Sequence, residues 1–159
     1  MEIERERRSP NQKARPTGVK PSLIILHASA GKSDAGDLSW ICSPASRVSY
    51  HYLIGRDGTV YELVPPERMA YHAGESEWKG RKFCNQYSIG VSWCNRHDGA
   101  EPLTAKQIQA GRALLDWLAQ KYHSVAEIVT HKDVAPTRKS DPEKIPNWHK
   151  PDWCIVLTR

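Results

Sequence analysis

No apolar run in this chain exceeds a few residues, which excludes a membrane-spanning helix, since about 20 consecutive apolar residues are needed to cross a bilayer. The first ten residues mix both charge signs and lack the apolar middle of a secretory signal, so the expectation is a protein made in the cytoplasm and kept there until something releases it. Internal repeats and low-complexity segments are absent. Cysteine is sparse: Cys42, Cys84, Cys94 and Cys154 lack metal-ligand spacing, which argues against a cysteine-built zinc site. Reduced, mostly buried thiols are expected, with Cys84 and Cys94 the pair an oxidising compartment could join. No helix presents a basic face interleaved with aromatics, so nucleic acid is not an expected partner.

What is present is one domain's worth of chain. At 159 residues, 39% hydrophobic and 26% charged, the sequence has the composition of a single folded domain rather than a disordered segment. The formal net charge is +5, and residues 1–20 supply +3 of it through Arg5, Arg7, Arg8, Lys13, Arg15 and Lys20 against three glutamates. The reading is a basic N-terminal tail over 1–20, either solvated and mobile or a binding arm for an acidic surface, followed by a domain over 21–159.

Ser22 to His27 is a nearly continuous apolar run, the pattern of a strand covered on both faces, and His27 stands at its C-terminal end. A short helix is expected over 37–41, before Pro44. Two aromatic and β-branched runs between Val48 and Val64 flank Asp57-Gly58, a hairpin signal because such a turn needs positive φ. Ser88 to Cys94 reads as another strand. Thr104 with Gln107 three positions on is a capping-box signature, followed by Ile108, Gly111, Leu115, Leu118 and Tyr122 at helical spacing. Val125 to Thr130 returns as a strand that delivers His131. Beyond Asp141, Pro142, Pro146 and Pro151 forbid long regular structure, with Trp148 and Trp153 expected to pin the C-terminus to the core.

His27, His131 and Asp141 form a set of two imidazoles and a carboxylate, a ligand type that leaves zinc one open position for water. On spacing alone the alternative, ordinary hydrogen-bonded histidines, stays open. The wider pattern narrows it. Leu26-His27, Ser49 to Ile54 with Asp57 to Val60, His72-Ala73-Gly74 with Ser76, Asn85 to Val91, Leu103-Thr104, and His131 to Pro136 through Arg138 to Pro142 occur in one order. Together, over roughly residues 20–145, the chain resembles the type 2 N-acetylmuramoyl-L-alanine amidases, a group that includes phage endolysins, bacterial wall-recycling amidases and peptidoglycan recognition proteins.

The resemblance implies one zinc ion held by His27, His131 and Asp141, and cleavage of the amide between N-acetylmuramic acid and the L-alanine of the peptidoglycan stem peptide. It implies that Lys139, two residues before Asp141 and so on the same side of an extended loop, stabilises the oxyanion. It also implies that Tyr50 orients the attacking water or assists proton transfer. His72 and Asn85 resemble positions that line or shape the substrate cleft, and Trp78 is a candidate for stacking on a sugar. For His51, His97, His123 and His149 a structural role is expected; alternation sends His51 to the face opposite Tyr50.

One departure matters. Wall-recycling members carry a glutamate where this chain has Ser92, so a carboxylate base is missing there; Thr137 and Glu143 also stand where glycine is frequent in the family motif. The expected fold is one α/β domain, a mixed central sheet of five or six strands flanked by helices, as in peptidoglycan recognition proteins. The expected function is a zinc-dependent peptidoglycan hydrolase, a phage or prophage endolysin without a separate wall-binding domain, acting after membrane permeabilisation. The alternatives are a non-catalytic peptidoglycan recognition module and a cytoplasmic muropeptide-recycling amidase. A monomer is expected, with no stable membrane insertion and with the basic tail contacting anionic envelope components.

Overall fold

The structure, a computed structural model, describes residues 2–149. Its elements in chain order are β1 (Ile3–Glu4), β2 (Gln12–Ala14), β3 (Leu23–Ala28), α1 (Asp34–Ile41), β4 (Tyr52–Ile54), β5 (Val60–Glu62), β6 (Arg68–Ala70), β7 (Glu77–Trp78), β8 (Arg81–Lys82), β9 (Ser88–Trp93), α2 (Ala105–Lys121), β10 (Glu127–Thr130) and α3 (His131–Val134). A six-stranded sheet runs in the order β1-β5-β4-β9-β3-β10. It is mixed, because only the β4–β5 pair is antiparallel.

Two interior strands, β3 and β9, are buried at every position, as expected of parallel strands covered on both faces. Alternation divides their side chains. Ile24, Leu26, Ile89, Val91 and Trp93 join Leu114, Leu115 and Leu118 of α2 on one face, while Leu23 and Ile25 pack with Ala73, Tyr87, Val129 and Val134 on the other. His27 continues the second face. The capping box at Thr104 forms in both directions, each bond 3.1 Å. Gly111 lets α2 lie close on the sheet, since a Cβ there would come within 2.6 Å of the Trp93 ring. α1 begins three residues earlier than expected, capped by Ser33 Oγ accepting from Gly36 N, and sets Leu38 and Ile41 against Leu53, Leu63 and Cys94. The β4–β5 hairpin turns through Asp57-Gly58, with Gly58 at φ 87°. Trp148 packs edge-on to Trp93 with ring centroids 5.5 Å apart; Pro151, Trp153 and Cys154 lie outside the described residues.

One expectation needs correction. Residues 2–20 are not a tail. β1 adds to the sheet edge beside β5, and β2 pairs with β6. Asn11 Nδ2 donates to Ser43 O, Ser46 Oγ and Val48 O, and Arg15 donates to four backbone carbonyls, those of Pro66, Asn85, Gln86 and Ser88. Burial lowers the Arg15 pKa to about 10. Much of the charge that suggested a free arm is thus spent on the domain itself, with Arg5 and Arg8 paired to buried Glu62. The thiols are as expected: Cys84 and Cys94 are both buried and free, and they belong to separate apolar clusters. Among the described residues no helix is long and apolar enough to cross a membrane.

Candidate metal centre and active site

β3 and β10 are parallel neighbours with Leu26 opposite Thr130, so the residue after each, His27 and His131, emerges side by side at the same end of the sheet. His131 opens α3, whose start is fixed by a reciprocal cap: Thr130 Oγ1 accepts from Asp133 N at 3.1 Å, and Asp133 Oδ2 accepts from Thr130 N at 2.9 Å. Lys132 N donates to Asp141 O at 3.1 Å and folds the following loop back over the strand ends.

The result is a triangle of donor atoms. His27 Nδ1 lies 3.0 Å from His131 Nδ1 and 3.3 Å from Asp141 Oδ2, and His131 Nδ1 lies 3.1 Å from Asp141 Oδ2. Tetrahedral zinc with bonds of about 2.0–2.1 Å separates neighbouring ligand atoms by about 3.3 Å, so the three atoms fit one ion. All three residues are buried. Burial, reinforced by the neighbouring His131 and Lys139, lowers the His27 pKa to about 4, leaving a neutral ring with a lone pair to give. Burial raises the Asp141 carboxyl, but the His131 and His27 rings beside it outweigh that and hold it well below the usual carboxylate range. A neutral imidazole beside an ionised carboxylate is what a divalent cation requires.

Above the triangle lies a cleft of about 290 Å³, lined by Val48, Tyr50, Tyr71, His97 and Lys139 around His131 and Asp141. A buried two-histidine, one-carboxylate cluster opening into a small polar cleft suits metal-assisted hydrolysis. Residues 17–144 match the family described as N-acetylmuramoyl-L-alanine amidase.

The chain belongs to the N-acetylmuramoyl-L-alanine amidase family.

It is an amide hydrolase of that specificity. The amidase is 33% identical over 170 residues to the 1,6-anhydro-N-acetylmuramyl-L-alanine amidase AmpD of Salmonella typhimurium, covering 94% of this chain and 89% of that one. The crystal structure of a selenomethionine AmpD derivative superposes with a TM-score of 0.75 at 30% identity, over 93% of this chain and 90% of that chain. Escherichia coli AmiD, solved with anhydro-N-acetylmuramic acid-L-Ala-D-γ-Glu-L-Lys, matches at 28% identity and TM-score 0.66, over 80% of this chain and 55% of that one.

The amidase places its remaining candidate residues unevenly. Tyr50 and Lys139 both line the cleft. The Tyr50 ring centroid stands 5.1 Å from that of His27, and burial together with the Asp141 charge pushes its hydroxyl well above the usual phenol range, so it is a neutral hydroxyl and not a phenolate. Ser92 sits beside His27 in register, fully buried. That strand therefore offers no carboxylate base.

His72 touches the cleft but is only 6% exposed, and its Nδ1 lies 2.9 Å from His27 Nε2. Asn85 is not among the cleft-lining residues; its Oδ1 accepts from the backbone N–H groups of His72 and Ala73. Trp78 likewise lies outside the cleft, half-buried in β7 against the Tyr87 and Val134 cluster with Lys79 over its ring, a placement that does not serve sugar stacking there. His51 is a structural residue, as alternation implied: its Nδ1 accepts from Gly90 N at 2.9 Å, which leaves Nε2 to donate to Arg68 O at 3.0 Å.

His97 was read as merely structural, yet it lines the cleft in the left-handed region at φ 54°. Its backbone N donates to Asn95 Oδ1 and its Nε2 accepts from Lys144 N, so it ties the loop after β9 to the loop carrying Asp141. The short Asn95-Arg96-His97 spacing, an Asx-turn pattern, was the available sequence signal.

Proposed function

We propose that this amidase acts on soluble 1,6-anhydro-muropeptides, releasing stem peptides that begin with L-alanine, with one zinc ion held by His27, His131 and Asp141. The observation that carries the reading is the donor triangle at the end of β3 and β10, with edges of 3.0, 3.1 and 3.3 Å. When bound, zinc supplies a Lewis acid that polarises the scissile carbonyl and makes water a usable nucleophile near neutral pH. The chain's own groups do the rest. Lys139 brings a fixed cation to the carbonyl oxygen as negative charge develops there, and Tyr50 offers a neutral hydroxyl to orient water or pass a proton. Retention of all three donors argues against a purely recognising module.

The substrate class follows the relatives. An AmpD enzyme named for the 1,6-anhydro sugar resembles this chain over most of both sequences, and AmiD has been solved with an anhydro-muramyl tripeptide. That breadth outweighs the single departure at Ser92, which had favoured an endolysin. A free envelope-binding arm, the other support for wall lysis, is disfavoured by the pairing of β1 and β2 with strands of the domain. A recycling enzyme of this kind works in the cytoplasm. Purified protein is expected to cleave anhydro-N-acetylmuramyl-tripeptide rapidly and intact sacculi slowly, as measured by mass spectrometry of released peptides. Faster release from sacculi would restore the endolysin reading.

Lys139→Ala gives a second check on the mechanism. With no cation facing the oxyanion, kcat is expected to fall about 10²- to 10³-fold while KM and the melting temperature change little. An unchanged kcat would remove Lys139 from the chemistry.

A further inference from the structure

Each histidine of the donor triangle commits Nδ1 to it and leaves a second ring nitrogen, buried and in need of a partner. For His27 that atom is Nε2, in a residue with no exposed surface, and the group facing it is His72 Nδ1 at 2.9 Å. Two ring nitrogens share one proton here. If His27 Nδ1 is to keep a free lone pair, its proton sits on Nε2 and donates to His72 Nδ1. The His72 proton must then be on Nε2, which faces Ser88 Oγ at 3.2 Å, and the Ser88 hydroxyl in turn donates to Cys84 O at 2.6 Å. Every donor in this chain finds an acceptor, and it ends on a backbone carbonyl whose polarity cannot reverse.

His131 is held from the same place. Its Nε2 lies 3.2 Å from Ala73 O, which also accepts from Arg138 Nη2 at 2.7 Å, using both lone pairs. Adjacent residues of one segment therefore face both histidine ligands, one with a side chain and one with a carbonyl. The segment is itself gripped: Asn85 Oδ1 accepts from His72 N at 3.1 Å and Ala73 N at 2.7 Å. Room for the His72 ring exists because β9 has Gly90 beneath it, where a Cβ would stand 2.5 Å from His72 Cγ.

We infer that the His72–Ala73 dipeptide, clamped by Asn85, is a positioning element that fixes the ring orientation and tautomer of both histidine ligands. This rests on the reading of His27, His131 and Asp141 as a zinc site. A ligating imidazole whose other N–H is held by a fixed acceptor is a better and better-aimed donor, and loss of such partners costs about 10- to 100-fold in metal affinity.

The test is zinc affinity of the full chain, read by competition with a chromogenic chelator, alongside circular dichroism and melting of the zinc-free protein. His72→Phe keeps the ring and removes the acceptor; it is expected to bind zinc about 10- to 100-fold more weakly. His72→Asn returns a carbonyl oxygen near the Nδ1 position and is expected to recover most of that loss. Asn85→Leu, which frees the dipeptide, is expected to weaken zinc binding as well. Wild-type affinity in folded His72→Phe overturns the inference, as does a His72→Asn variant no better than the phenylalanine one. Nitrogen-15 spectra of the unaltered, zinc-loaded protein give a readout that needs no variant to fold: protons on Nε2 of His27, His72 and His131 support the arrangement, and a proton on His72 Nδ1 overturns it. Failure of the unaltered protein to bind zinc overturns the metal reading together with this inference, whereas tight binding indifferent to His72 overturns the inference alone.

Discussion

Asp141→Asn is expected to abolish measurable turnover and to cut zinc affinity by hundreds- to thousands-fold. The substitution preserves size but withdraws the only anionic donor of the triangle, whose Oδ2 lies 3.1 and 3.3 Å from the two histidine nitrogens. Zinc bound by protein sites of a few donors is worth about 10–16 kcal/mol near neutral pH, so one donor of three accounts for roughly 3–5 kcal/mol. His27→Ala and His131→Ala should lose at least as much, because each removes a donor outright, and His27→Ala also leaves the buried His72 Nδ1 without its partner. Metal analysis after dialysis, with turnover of a soluble muropeptide, measures both effects. Zinc should raise the melting temperature of the wild type and not of Asp141→Asn, since an ion stabilises only the state that binds it. Full activity in Asp141→Asn would remove the carboxylate from the site.

Removal of residues 2–16 is expected to have the largest effect on stability. The deletion strips β1 from the sheet edge and β2 from β6, and it withdraws the Arg15 guanidinium from the carbonyls of Pro66, Asn85, Gln86 and Ser88. It also takes Asn11 from Ser43, Ser46 and Val48, and with it the acceptor of the buried Ser49 hydroxyl. A buried polar group left unpaired costs about 1–3 kcal/mol, so several at once reach the 5–15 kcal/mol that holds a typical domain together. The truncated chain should be insoluble or melt at least about 10 °C lower, given roughly 2–4 °C per kcal/mol at this size. Arg15→Ala alone should show part of the same loss. The site is expected to share it, because Asn85 and Ser88, which Arg15 grips through their carbonyls, stand one bond from His72. A truncated protein that melts and turns over like the full chain would show that these residues are an appendage after all.

Much of the fold was legible because its signals are local. The hairpin at Asp57-Gly58 needs a positive φ that glycine supplies, and the capping box at Thr104 needs only residues three apart. The buried strands read as apolar runs because both their faces are covered. The N-terminal segment was misread for the complementary reason: strands of two and three residues show no period, and charge dominates their composition. Nothing local in Arg15 distinguishes a side chain destined for four carbonyls from one dissolved in water.

In the site, the three donors stood out through a motif pattern spread along the chain, and Lys139 and Tyr50 do reach the cleft. His72, Asn85 and Trp78 came with the same pattern, but their neighbours are set by where loops return to the sheet. His72 turned inward onto His27, Asn85 onto the backbone of its own cleft wall, and Trp78 onto the core.

By itself the sequence determined the family, the chemistry of the three donor side chains and the elements that carry them, since each depends on residue identity and short-range spacing. The tertiary structure alone decided that residues 2–20 belong to the domain and that His27, His131 and Asp141 close to about 3 Å of one another. It also decided that one dipeptide faces both histidines. Hydrogen bonds and ligand triangles need positions within a few tenths of an ångström between residues up to 114 apart in sequence, and only the assembled sheet and its returning loops bring such atoms together.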